Sequence, residues 1–323
     1  MVFPDTFRIP VSDPRAYRQF SDPAVVPMIE TAAKLMTSCL IVKEEAPRQE
    51  TASVPKDIMS NSRWTHEQLK LAFHLYCQLP FGKLHSRNPE IIELAQLIGR
   101  TPSAVAMKLV NFASLDPAIT STGRSGLGNA SSLDRDIWDE FHADWEGLAV
   151  ECNRLKSTLL ESQGVTPKAE FLDRDEVVGL EDFTGETRRV VTEQRIKQHF
   201  FRRAVLSSYR GRCCMSGLSE PLLLIASHIV PWSKDKTNRL NPSNGLCLSA
   251  IHDKAFDKGL IALSDDFRVL VSNELLRSED IFIKNVMLPL SGRPIELPER
   301  FIPDASFIAR HRAEEFVDGK YGG

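Results

Sequence analysis

The sequence has no apolar run approaching the ~18 residues that a membrane span requires. Its first residues also lack the basic-then-apolar order of a secretory signal. A cytoplasmic protein with no membrane partner is the expectation. Net positive charge is missing too: 40 Lys and Arg stand against 43 Asp and Glu, leaving −3. A polyanionic partner must therefore be gripped by local patches, because the global field repels it. Finally, Cys39, Cys77, Cys152, Cys213, Cys214 and Cys247 form no CxxC pair. This argues against a structural zinc site and for reduced thiols.

What is present divides the 323 residues into four stretches. Residues 1–62 read as an extension and linker. An apolar stripe at helical spacing over 27–41 leaves open a loosely ordered segment or a docking helix, and 44–62 is polar and Pro-containing. Residues 63–155 carry helix signals. Thr65 with Gln68 is a capping box, Asn88-Pro89-Glu90 opens a second helix that stops at Gly99, and Thr101-Pro102 opens a third. The pair around Gly99 has the size of a helix-turn-helix, offering Ser103, Lys108 and Asn111 with Arg100 and Arg124 nearby. The alternative is a trihelical packing unit that touches no nucleic acid. A Gly/Ser/Thr loop over 118–132 precedes a helix with Trp138, Phe141, Trp145 and Leu148 on one face. Its acids (Asp134, Asp136, Asp139, Glu140, Asp144, Glu146 and Glu151) read as a solvated or partner surface.

Residues 156–187 read as a connector, and 188–323 as the second domain. From Arg188 the charge reverses: Arg188, Arg189, Arg195, Lys197, Arg202, Arg203, Arg210 and Arg212 face a single acid, Glu193. Phe200, Phe201, Val205 and Leu206 punctuate them at helical spacing. Such a helix either turns a basic face to solvent or grips phosphates without reading sequence.

Residues 227–257 concentrate the chemistry. An apolar run over 221–230 reads as a strand ending at His228. A polar loop leads to Asn244-Gly245, a turn signal before the strand Leu246-Cys247-Leu248. Ser249 then caps a short helix bearing His252 and Asp253, about 100° apart round the axis and able to flank one pocket. Beyond Gly259, residues 259–271 read as a hairpin and 303–316 as a closing helix whose His311 is structural.

These residues resemble the HNH, or ββα-metal, nuclease superfamily, in the branch of bacterial endonucleases with an A-S-H-I-x-P-W…N-x-R-L-N-P-x-N-G-L-C-L…H-D-x-x-F-D-x-G-L signature. The matching positions are Ala226 to Ile229, Pro231-Trp232, Asn238, Arg239 to Pro242, Asn244 to Leu248, His252-Asp253, Phe256-Asp257 and Gly259-Leu260. The likeness covers about residues 185–320, and the helical stretch before it resembles a domain joined to such nucleases in restriction enzymes.

The resemblance implies an α+β protein, with an N-terminal helix-turn-helix-like domain and a C-terminal ββα-metal nuclease domain. It implies a metal-dependent endonuclease acting on double-stranded DNA in restriction or antiviral defence. Duplex cleavage from one site per subunit suggests a homodimer, and a regulatory partner or signal is left open. His228 would be the general base and Asn244 would orient its loop. Asp253, ahead of His252, would hold Mg²⁺ or Mn²⁺. Arg239, Arg195, Arg202, Arg203 and Lys108 would contact the nucleic acid. The chain departs from the superfamily at Ser227, where many members place an Asp or His ligand, and in having Asp253 nine residues after Asn244 with His252 at eight. The plainer readings make His228 a core histidine, His252 a surface residue and Asp257 a maker of local hydrogen bonds. The rival functions are a DNA-binding regulator with a vestigial nuclease fold and an RNA-cleaving toxin.

Overall fold

A computed structural model describes residues 63–121, 130–165 and 185–319. The extension with its 27–41 stripe, the 44–62 linker, Arg124 and most of the connector lie outside the described residues, as do the side chains of Arg188 and Arg189.

Helix α1 (His66–Gln78) starts where the Thr65–Gln68 capping box satisfies its first amides. Asn88 caps α2 (Pro89–Leu97), and Gly99, at φ +67°, turns the chain so that Thr101 can cap α3 (Pro102–Ala113). A single turn, α4 (Pro117–Thr120), follows. The aromatic-faced helix expected as one piece is two, α5 (Ser132–Ala143) and α6 (Trp145–Ser162). Asp144 breaks it: at φ −147° and ψ 78° it leaves the helical region, and its carboxylate caps the Gly147 amide. Helix α7 (Gly185–Ser208) then crosses the helical layer.

The core centres on Phe73 of α1, which is fully buried. Its ring meets those of Phe112, Phe141 and Trp138 at 5.0, 4.6 and 5.5 Å. This packing removes the recognition helix that the sequence suggested. Among the residues of α3 only Ser103 and Met107 are exposed, while Lys108 and Asn111 are buried. Lys108 Nζ lies 2.9 and 3.0 Å from the carboxylate of Asp134, itself fully buried and part of the capping box of α5. The lysine expected at DNA is a tie between helices.

The second part is built on β1 (Leu224–His228), antiparallel to β2 (Gly245–Ser249), with α8 (Ala250–Asp257) following directly. Gly245 pairs with His228, and its backbone is extended (φ −129°). The Asn-Gly pair therefore makes no hairpin turn. The glycine is required because a Cβ there would stand 2.3 Å from Val205 and 3.0 Å from Phe201 on α7. The expected hairpin is present as β3 (Ile261–Leu263) and β4 (Val269–Val271), followed by the short α9 (Asn273–Leu276). The closing helix is α10 (Ala305–Glu314), whose His311 stacks on Phe256 at 3.7 Å.

Both parts share one hydrophobic core. Arg300, fully buried, donates to the carbonyls of Tyr76 and Cys77 at the end of α1 and to Ser207 Oγ on α7. Among the described residues, no helix is long and apolar enough to cross a membrane.

Candidate active site

His228 sits at the end of β1, half-buried, its ring stacked on Phe201 (3.9 Å between centroids, 7° between planes) and edge-on to Trp232 at 5.5 Å. Nε2 lies 2.9 Å from the Arg239 carbonyl. A carbonyl only accepts, so Nε2 carries the proton and Nδ1 keeps the lone pair. Burial holds the imidazole below its usual pKa, with the Arg239 carbonyl working in the opposite direction. At neutral pH the ring is an uncharged base with a fixed tautomer.

Asn244 is fully buried, and its side-chain hydrogen bonds go to backbone groups rather than to that ring. Its Oδ1 accepts from the Val230 amide at 2.8 Å, while its Nδ2 donates to the carbonyls of Val230 (3.1 Å) and Asn238 (3.2 Å). The side chain thus pins both ends of the loop between the strands, one residue from the carbonyl that fixes His228. Asp235 folds the loop's middle, accepting from the amides of Thr237 and Asn238 and from the Asn238 side chain at 3.0 to 3.1 Å. Burial opposes its charge, but those hydrogen bonds keep its carboxyl below the usual range.

The adjacent pair on α8 separates. His252, buried, turns towards Cys213: its Nδ1 is 2.9 Å from Ser249 Oγ and 3.4 Å from Cys213 Sγ, and its Nε2 has no hydrogen-bond partner among the described residues. Burial alone would raise the Cys213 thiol, but His252 and the Ser216 and Met215 hydrogen bonds bring it down to about 6. Cys213 borders β2, since the neighbouring Cys214 amide donates to the Cys247 carbonyl at 2.8 Å. Asp253 instead faces β1. Burial pushes its carboxyl up, opposed by the Ser227 hydroxyl and Lys254. One turn on, Asp257 is raised first by burial and then by the charge of Asp253. The structure therefore brings Asp253 together with Asp257 and Ser227 rather than with His252. The sequence carried a signal for Asp257 in its four-residue spacing from Asp253 along a helix.

Among the described residues no three His, Cys, Asp or Glu side chains converge as a closed metal cage. A half-buried carboxylate, Asp253, and an exposed one, Asp257, each held above its usual pKa, nonetheless suit a hard divalent cation. Mg²⁺ in particular binds through one or two carboxylates and keeps waters and phosphate oxygens for its other positions.

The candidate nucleic-acid residues fare unevenly. Arg239 lies over the Trp232 ring at 5.1 Å with Nε donating to the Trp232 carbonyl at 2.8 Å, and its two Nη groups make no hydrogen bond among the described residues. It borders a groove of about 220 Å³ with Trp232, Lys197, Glu146 and Glu193. Arg202 donates to the carbonyls of Leu224 (2.9 Å) and Pro221 (3.5 Å), tying α7 to the start of β1. Arg203 pairs with Glu90 of α2 at 2.5 Å. Arg195 is half-buried, with Nη1 enclosed and without a partner among the described residues.

Residues 213–264 match the sequence profile described as HNH endonuclease, and the match spans β1, β2 and α8. No curated protein matches the chain. HNH nucleases generally use a divalent cation, and the matched segment has the strand–strand–helix order, the strand-end histidine and the buried asparagine. Over residues 213–264 the chain is thus similar to the HNH endonuclease family, and that likeness supports an HNH-type segment there.

Proposed function

We propose that the protein is a metal-dependent endonuclease that hydrolyses phosphodiester bonds of double-stranded DNA. The observation that carries this reading is His228: one imidazole nitrogen is held by the Arg239 carbonyl, leaving the other as base beside the strand residue that faces Asp253. Nδ1 of His228 draws the proton from a water that attacks phosphorus. Asn244 acts as a positioning residue, because it holds the loop that supplies the Arg239 carbonyl. The Arg239 fork grips a phosphate oxygen, a geometry its planar guanidinium favours. Asp253 and Asp257 would hold a divalent cation. When bound, it would supply charge stabilisation at the phosphate and the departing oxygen.

A role in restriction or defence rests on the resemblance of the sequence to restriction-associated nucleases. Against the regulator reading stands α3, which offers neither cation nor amide at its exposed positions. The test is nicking of a supercoiled plasmid in Mg²⁺ or Mn²⁺. Wild type is expected to nick, and His228→Ala to lose about 10²- to 10⁴-fold in rate while still shifting DNA in a gel. Equal inertness of both proteins, with shifting retained, would establish the regulator. Preference for structured RNA over plasmid would establish the toxin. Parallel assays on unmodified, methylated and hypermodified plasmids address the restriction role.

A further inference from the structure

A cleft of about 360 Å³ opens on a different face of α7 from the groove at Arg239, walled by α1, α2, α6 and α7. Its volume is within the range of small-molecule sites. Leu71, Leu94 and Ile196 give it apolar walls, and Arg203 and Lys156 bring two cations to its edge. The His74 ring, stacked on Phe200 at 5.0 Å, stands inside.

The field in this cleft has a sign. Burial first, then the charges of Arg203, Lys156 and His199, hold His74 down to about 3, and no carboxylate is among the causes. The counter-ions Glu90 and Glu93 line the same cleft, towards solvent. Glu90, paired with Arg203, and Glu93, paired with Lys156 at 3.4 Å, have side chains 40% and 54% exposed, against 35% and 32% for their cations. Such surface pairs contribute about 0–1 kcal/mol, so an entering anion can replace either carboxylate at little cost. A bare inorganic anion would leave the apolar walls uncovered.

We propose that this cleft is a binding site for a small organic phosphate, its phosphate between Arg203 and Lys156 and its apolar body against Leu71, Leu94 and Ile196. The site is separate from the nuclease chemistry, yet it shares a helix with it: Phe200 lines the cleft, and Phe201, the next residue, carries the His228 ring.

The test uses the full chain and calorimetric titration with AMP, GMP and inorganic phosphate at concentrations up to about 1 mM. The His74 ring signals of the isotopically labelled protein are followed in parallel. At least one nucleotide is expected to bind and to move the His74 signals, with inorganic phosphate weaker by about tenfold or more. Lys156→Glu, which reverses one cation, and Asn153→Phe, which fills the cleft, should each weaken binding by about tenfold with melting temperature unchanged. Failure of both nucleotides to bind would overturn the proposal and leave a water-filled packing groove. Binding that leaves the His74 signals in place and survives both variants would do the same. Should either variant unfold, the His74 signals of the wild-type protein decide.

Discussion

Lys108 and Arg239 are both cations lying over an indole, at 5.4 Å from the Trp64 ring and 5.1 Å from the Trp232 ring. In the helical layer the ammonium meets a buried carboxylate, Asp134, and its charge is neutralised. In the ββα unit the guanidinium hydrogen-bonds a carbonyl, and its fork is left unengaged among the described residues. The contrast extends to the neighbours. Lys70 pairs with Glu151 and Lys197 with Glu146, whereas Asp253 and Asp257 confront each other. A region that satisfies its charges internally is built to hold shape. A region that sets two carboxylates against each other and, among the described residues, leaves an arginine fork and an imidazole nitrogen without mates is built to receive something. The excess of basic residues in the sequence did not make this distinction, because it counts charges without their partners.

The comparison breaks most visibly at Lys108. Lys108→Met should destabilise the fold by about 4 kcal/mol, since Asp134 would be left as a buried, unpaired charge. The cleavage rate per folded molecule should not change. Chemical denaturation and plasmid nicking check the two halves, and a lysine that held DNA would give the reverse pattern. Asn244→Ala should act on both properties. It leaves the Val230 amide and two carbonyls unsatisfied, at a cost of about 2 kcal/mol, and frees the loop that fixes His228, so kcat should fall with little change in KM. Asp253→Ala and His252→Gln separate the two residues on α8. The first should weaken Mn²⁺ binding by about tenfold or more, measured by calorimetry, and the second should leave it within a small factor. A larger loss for His252→Gln would give the metal to the imidazole, whose Nε2 is buried and without a partner among the described residues.

Much of this was legible in the sequence, and the failures have physical causes. Capping signals at Thr65, Asn88, Thr101 and Ser249 were read correctly because a cap is a local bargain between a side chain and amides two or three residues away. The strand–strand–helix order was legible for a similar reason, since apolar runs and a following cap are contiguous. The division at Asp144 was not, because periodicity in Trp138, Phe141, Trp145 and Leu148 persists across a break that a single carboxylate makes. Gly245 was misread as a turn residue, its need for a missing Cβ arising from α7, some forty positions upstream. The partners of Lys108 and Arg203 are equally remote, and no local pattern carries them.

The smallest expected effect tests how α7 tunes the base. Phe201 covers one face of His228, and burial is the first cause that holds the imidazole below its usual pKa near 6.5. A general base acts only when deprotonated, so cleavage should persist on acidification below pH 6.5 and fail only as His228 gains its proton. Phe201→Leu keeps the core apolar but admits water to the ring face. The folded-state pKa should then rise towards 6.5, and the acid limb of the pH–rate profile should move up with it. The shift should appear in kcat/KM at saturating Mg²⁺, so that proton competition at Asp253 and Asp257 is suppressed. Were the limb to stay in place in Phe201→Leu, the group controlling it would be a carboxylate, and the stacked ring would be a support for packing rather than a setting for the base.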